Sequence, residues 1–524
     1  MRDRPVYTYD NIGQLKTAIG QEPGGTTNRM QEQLGYFYDG AGNLNYRTNN
    51  TLLQTFNVNN LNELTTITNA GRLTVAGSTT SPATNVTVNT SNAILYVDTT
   101  FASTNQPWTD GNNTYTAIAK DNRGRRDTNS ITASINAGNV LVYDLNGNLC
   151  TNGTRIFEYD DENQLTRITQ PNTWKSEFSY DAKLRRRIRK EYTWNGAWLQ
   201  TNEVRYVYDG NLVIQERDGN NLPQVTYTRG TDLSGSLQGA GGIGGLLART
   251  DASMSIGGSK FATACYHANG NGDVTCLIYT NQTIAAKYEY DPYGNILSQS
   301  GLLSDANIYR FSSKEIHMCS GLIYYLYRYY DPNLQRWINC DPIKELGGKN
   351  LYAFLENDPI KRIDYLGLAD VEKRDDGKIY VFVENCEIVV YIGHGNPAGS
   401  PYFIPPKKGG CGGRAGFMGC YAALINTQIS HQNLGPIAGA PGSSGGNSVW
   451  DGTISPYRNA PDWTAARDNI RKEIPGEINR MLKKACCKTV KLTLVSMIDD
   501  LKTHVETFSA PVTSWDWPQD KAYE

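Results

Sequence analysis

Through the first two thirds of the chain, aromatic and polar positions alternate, and one recurring turn breaks the alternation at short intervals. "YTYDNIGQL" (Tyr7 to Leu15), "YFYDGAGNL" (Tyr36 to Leu44), "LVYDLNGNL" (Leu141 to Leu149), "FEYDDENQL" (Phe157 to Leu165), "FSYDAKLRR" (Phe178 to Arg186) and "YEYDPYGNIL" (Tyr288 to Leu297) share one plan: aromatic-x-Tyr-Asp, a Gly or Asn turn, then Leu. A period of two buries one face of a strand, and Asp-x-x-Gly-Asn tolerates the left-handed backbone of a tight turn. The pattern predicts a long run of β-hairpins. Their edges need neighbours, so the hairpins are expected to stack into a spiral or a closed sheet.

The plan stops between residues 71 and 140, where "RLTVAGSTTSPATNVTVNTSNAILYV" alternates without a Tyr-Asp signature. An inserted β-sandwich is expected there, between repeat segments 1–70 and 141–300. Helical spacing first appears after Asp462, in "DWTAARDNIRKEIPGEINRMLKKACC", with Ile470, Ile474, Ile478, Met481, Leu482 and Ala485 on one side. Asp462 can cap this helix, and Pro475 is expected to kink or divide it. The fold class read from the pattern is therefore mainly β, followed by a smaller α/β domain over 369–524.

At 524 residues, more than one structural unit is expected. The net charge of −2 argues against a general nucleic-acid binder, which presents a basic face to phosphates. No apolar run is long enough to cross a bilayer, and Met1 to Gly20 lacks the order of a signal peptide. A chain made in the cytoplasm would then leave by a specialised route. Ten cysteines occur without paired CxxC or Cys/His spacing, so neither a metal site nor a cofactor is expected.

Two stretches, "YHANGNGDVTCLIYTNQTIAAKYEYDPYGNIL" and "YRFSSKEIHMCSGLIYYLYRYYDPNLQRWINCDPIKELGGKNLYAFLENDPIKRIDYLGL", carry a specific resemblance. The chain resembles the Rhs/YD-repeat proteins, which include bacterial polymorphic toxins, the C components of insecticidal Tc toxins and animal teneurins. The second stretch is similar to the Rhs-associated core, here 301–368. The resemblance implies a β-shell that encloses a variable C-terminal segment and cuts itself after the last Leu of Pro-x-x-x-x-Asp-Pro-x-Gly-Leu. Pro359, Asp364, Gly367 and Leu368 match that motif, with Tyr365 in place of the second Pro. The implied scissile bond is Leu368–Ala369. Asp341 and Asp364 are the implied catalytic acids, and Arg336 the arginine that orients one of them. Two close carboxylates in a dry site do not both ionise easily, so one can hold a proton for the leaving amine while the other activates water. Turn capping is the alternative role for both aspartates.

Beyond the cut, "EIVVYIGHGN" and "GRAGFMGCYAALIN" each bring a reactive residue to the end of an apolar strand. The pair resembles caspase-like cysteine peptidases, which implies His394 as general base, Cys420 as nucleophile and the Gly395 amide in the oxyanion hole. Cys411 is a competing thiol. Other cargo chemistries, an ADP-ribosyltransferase, a deaminase or a nuclease, remain open, as does a non-catalytic teneurin-like adhesion role. The expected partners are the chain's own cleaved C-terminal fragment, an immunity protein or delivery partner, and a protein substrate if the cargo is a peptidase. Nucleic acid is not favoured.

Overall fold

The computed structural model describes residues 5–252, 262–346 and 348–368, and beyond them the backbone of the strands Asp370–Lys373, Ile379–Val381, Val383–Ile392, Arg414–Met418, Cys487–Asp499 and Lys502–Pro511. Two compact units divide at Ile379/Tyr380.

In the first unit the hairpins form two meanders. A seven-stranded sheet runs in sequence order from Val6–Tyr9 to Leu64–Gly71 and takes Gly138–Val140 as its last strand. A fourteen-stranded sheet then runs from Val142–Tyr143 to Ile296–Ser300, each strand beside its neighbour in sequence. Between them the chain makes a three-stranded and a four-stranded sheet, with Val86, Val88, Phe101 and Tyr115 packed in a core of their own.

The repeated turn has one physical basis. Asp10 Oδ1 accepts the backbone N–H of Ile12 at 3.0 Å and of Gln14 at 2.9 Å, while Gly13 takes φ +92°. Asp39, Asp144, Asp160, Asp181 and Asp291 repeat the arrangement, each accepting from the residues two and four positions on. The turn sets Tyr9 opposite Leu15, Tyr38 opposite Leu44, Tyr143 opposite Leu149 and Tyr159 opposite Leu165 across the hairpin. The spacing of Tyr-Asp to Leu is thus a cross-strand pair. Asn59, Asp218 and Asn269 anchor the same turn without a Tyr-Asp signature.

Residues 301–368 pack against both meanders. Tyr325, Tyr330, Trp337 and Phe354 share a core with Leu15, Leu34 and Tyr36, and Leu322, Tyr324, Tyr329 and Ile338 share one with Phe56, Leu149 and Phe157. Four short strands order this segment: Glu315–Ile316, Ile323–Tyr324, Tyr329–Asp331 and Arg336–Trp337. Its regular hydrogen bonding is sparse and most of its side chains are buried, so its shape is held by the surrounding sheets.

In the second unit, Arg414–Met418, Val383–Ile392 and Cys487–Asp499 pair in parallel, and Lys502–Pro511 closes the sheet antiparallel. Parallel neighbours require crossover connections, as in an α/β arrangement. The helix expected from Asp462 to Ala485 lies outside the described residues. Among the described residues, no helix is long and apolar enough to cross a membrane.

Candidate cleavage site

Asp341 and Asp364 lie in the inner segment, 5% and 1% exposed. Arg362–Asp364 forms a hairpin with Asp370–Lys373, with Asp364 opposite Asp370. Residues 365–368 follow Asp364 at the end of this hairpin; Ala369 lies outside the described residues.

Both aspartates anchor turns, each through one oxygen. Asp364 Oδ1 accepts the N–H of Leu366 at 3.0 Å, of Gly367 at 2.6 Å and of Leu368 at 3.2 Å. Asp341 Oδ1 accepts the N–H of Ile343 at 3.0 Å. The second oxygens meet a single guanidinium: Arg328 Nη2 lies 2.8 Å from Asp341 Oδ2 and 3.7 Å from Asp364 Oδ2. Arg328 Nε donates to the Gly367 carbonyl and Nη1 to the Leu351 carbonyl, and the guanidinium stacks 4.2 Å over Trp337. The Gly367–Leu368 peptide is consequently held at both ends, its carbonyl by Arg328 and its N–H by Asp364.

Arg336 does not reach either carboxylate. Its Nη2 donates to the Asn62 carbonyl, and its guanidinium stacks 4.7 Å over Tyr352. The position between the acids belongs to Arg328, because Tyr329–Asp331 and Arg336–Trp337 pair as a hairpin whose near end carries Arg328 toward the loop at Gly367. Sequence reading missed Arg328 because it precedes the Tyr-Tyr-Asp turn rather than the Asp-Pro motif.

Burial pushes the Asp341 carboxyl up to about 6, against the pull of Arg328 and the Ile343 amide, with Asp364 adding to the rise. Burial raises Asp364 as well, against Arg328 and its three amides. Both shifts favour the protonated form of each acid relative to an exposed carboxyl.

Two further groups position the loop. Lys314 Nζ donates to the Tyr365 carbonyl at 2.7 Å and to the Gly241 carbonyl at 2.9 Å. Its burial brings the ammonium down to about 7, with Asp364 opposing the fall. Gly241, at φ +59°, presses on the same strand of chain: a Cβ there would lie 2.1 Å from the Tyr365 carbonyl oxygen. Gly367 has φ +79°, and a Cβ would meet Arg328 N and Tyr325 Cβ at 3.2 Å. Both positions exclude a side chain.

His394, Gly395 and Cys420, together with Cys411, lie outside the described residues. The backbone of the strands before them is described, and Ile388–Ile392 pairs in parallel with Arg414–Met418.

No family model matches the chain. Among curated proteins, it is 29% identical over 302 residues to the tRNA3(Ser)-specific nuclease WapA of Bacillus spizizenii, covering 54% of this chain and 11% of that protein. It is 28% identical over 243 residues to double-stranded DNA deaminase toxin A of Burkholderia cenocepacia, covering 43% and 17%. To toxin subunit YenC2 of Yersinia entomophaga it is 36% identical over 90 residues, covering 17% and 9%. The chain thus spans less than a fifth of the length of each of these relatives. A crystal structure of TcdB2-TccC3 aligns with 70% of this chain and 19% of that one, at 17% identity and a TM-score of 0.35. The curated relatives support kinship with polymorphic toxins. Of the three, two are named for enzymes that act on nucleic acid and none as a peptidase.

Proposed function

We propose that this chain is a self-cleaving, Rhs-type toxin whose repeat region encloses a C-terminal enzyme and severs it at Leu368–Ala369. The observation that carries the reading is the buried pair Asp341 and Asp364, bridged by Arg328 beside the loop that bears the bond. In the reaction, the ionised carboxylate takes a proton from water, and the water oxygen adds to the Leu368 carbonyl carbon. The protonated partner then gives its proton to the Ala369 nitrogen as the C–N bond breaks. The products are a carboxylate at Leu368 and an amine at Ala369. Arg328 keeps the pair singly protonated and holds the preceding carbonyl; Lys314 and Gly241 fix the Tyr365 carbonyl.

The full chain should purify as two fragments by intact mass, the second beginning at Ala369. Asp341→Asn and Asp364→Asn should each leave one chain. Cleavage at that bond in either variant, with the fold retained, overturns the aspartyl mechanism.

For the severed segment, the register of its sheet is compatible with the cysteine-peptidase reading. Ile392 and Met418 are partners on adjacent parallel strands, and in the sequence His394 and Cys420 each follow by two residues. Ligands and chemistry gather where parallel strands end. His394 would deprotonate Cys420, the thiolate would attack a peptide carbonyl, and the Gly395 amide would receive the oxyanion. A nuclease or deaminase cargo, the chemistry named for two relatives, is the competing outcome.

A further inference from the structure

Outside the cleavage pair, one cluster among the described residues combines three metal-ligating side chains. Strand Arg186–Trp194 carries Glu191, and the turn joining Glu315–Ile316 to Ile323–Tyr324 carries His317 and Cys319. One ligand atom of each lies within 4.8 Å of the others. His317 is buried, with Nε2 3.3 Å from Glu191 Oε1 and Nδ1 2.7 Å from Ser320 Oγ. The His317 carbonyl accepts the N–H of Ser320 at 3.2 Å and of Gly321 at 2.8 Å, which fixes the turn. A histidine held through Nδ1 presents Nε2 in one direction, the usual support for a ligating imidazole. Cys319 is exposed, so the cluster opens to solvent on the thiol side.

We propose that Glu191, His317 and Cys319 form a binding site for a zinc-class divalent cation, with a fourth position open to water. One sulfur, one imidazole nitrogen and one carboxylate oxygen match zinc and exclude the all-oxygen preference of magnesium and calcium. Binding forms the metal–sulfur bond and breaks the thiol S–H, whose proton leaves to solvent. The thiolate and the Glu191 carboxylate then balance the cation's two charges. Arg189 opposes binding, since its Nε lies 3.2 Å from the same Glu191 oxygen, but its Nη1 is drawn to Glu315 at 3.1 Å. Ser176 Oγ donates to Glu191 Oε2 and leaves Oε1 facing His317. The expectation of no metal site rested on linear spacing; here one ligand comes from a strand far from the other two in sequence.

The test uses the full chain after chelator treatment, titrated with Co²⁺ and followed by the thiolate-to-cobalt charge-transfer absorption, with zinc content measured after gel filtration. The wild type should show the band and retain zinc. Cys319→Ser, at an exposed position that leaves the fold intact, and Glu191→Gln should each weaken binding by at least about tenfold. Cys265→Ser, at another exposed cysteine, should match the wild type. No band in the wild type, or equal binding in Cys319→Ser and wild type, overturns the site.

Discussion

Arg328 is the most exacting place to test the cleavage mechanism, because it has a built-in control in Arg336: both are buried arginines that stack on an aromatic ring. Arg328→Met removes the guanidinium from two buried carboxylates and from the Gly367 and Leu351 carbonyls. Stripping one partner from a buried ion pair costs about 3–5 kcal/mol, so the acids respond by holding protons more tightly. A fully protonated pair has no base for water. The Gly367 carbonyl that Arg328 also holds precedes the scissile one, so losing that contact loosens the positioning of the loop, where a misplacement of about 1 Å can cost about 10²-fold in rate. Cleavage in Arg328→Met should therefore slow by about 10²-fold or more, through loss of the base and of loop positioning. Arg336→Met loses the Asn62 carbonyl and the Tyr352 stack but nothing at the acids, so its rate should stay within about threefold of wild type, less than 1 kcal/mol of barrier. The assay is cell-free synthesis of the full chain, quenched at intervals and resolved into intact and cut species by mass, with circular dichroism to confirm both folds. Equal rates in the two variants, both folded, would refute the assignment of Arg328.

Three other outcomes are expected. Gly241→Ala should slow cleavage more than Gly235→Ala, since both glycines have positive φ but only the Gly241 Cβ would strike the Tyr365 carbonyl, while nothing lies within 4 Å at Gly235; equal rates in the time course would remove Gly241 from the positioning of the loop. Lowering the pH through about 6 protonates the Asp341 member of the pair and leaves no base, so the rate of new cleavage should fall by about tenfold per unit on that limb; a flat acid profile would show that this carboxylate is not the titrating group. Cys420→Ala and His394→Ala should each abolish toxicity of the full chain expressed in bacteria while Cys411→Ala does not, because members of a catalytic unit fail together; full toxicity of Cys420→Ala would transfer the cargo to another enzyme class.

The hairpins were legible because strand alternation and turn chemistry both leave local marks. Aromatic-x-Tyr-Asp followed by Leu encodes a carboxylate-anchored turn and the cross-strand Tyr–Leu pair it creates. Units anchored by Asn59 or Asn269 escaped because an amide oxygen accepts the same N–H groups without the Tyr-Asp spelling. At Tyr180 the partner is Arg186 instead of Leu, fully buried and paired with Glu315, which only the packing of the inner segment explains. The inner segment itself has little regular hydrogen bonding to leave a period in the sequence. Its motif was recognisable and its arginine was not: proximity of Arg328 to Asp364 is made by the tertiary fold.

One signal of the site was nevertheless present in the turns. In four of the six Tyr-Asp turns, the aspartate's second oxygen is taken by the residue four positions on: Asn43 Nδ2 at 3.0 Å from Asp39, Asn148 Nδ2 at 2.9 Å from Asp144, Asn295 Nδ2 at 2.7 Å from Asp291 and Arg185 Nη2 at 2.8 Å from Asp181. Asp364 anchors its turn in the same way, yet the fourth residue is Leu368, which has no group to offer. Its Oδ2 accepts no hydrogen bond and faces Arg328 in a buried setting. Asp341 is followed four positions on by Glu345, which cannot donate either. A turn that engages both oxygens at those four repeats leaves Asp364 Oδ2 without a hydrogen bond, beside Arg328 and one turn from Leu368. On the proposed mechanism, turn capping and catalysis are not rival roles for these aspartates: one oxygen builds the turn, and the other is available for chemistry.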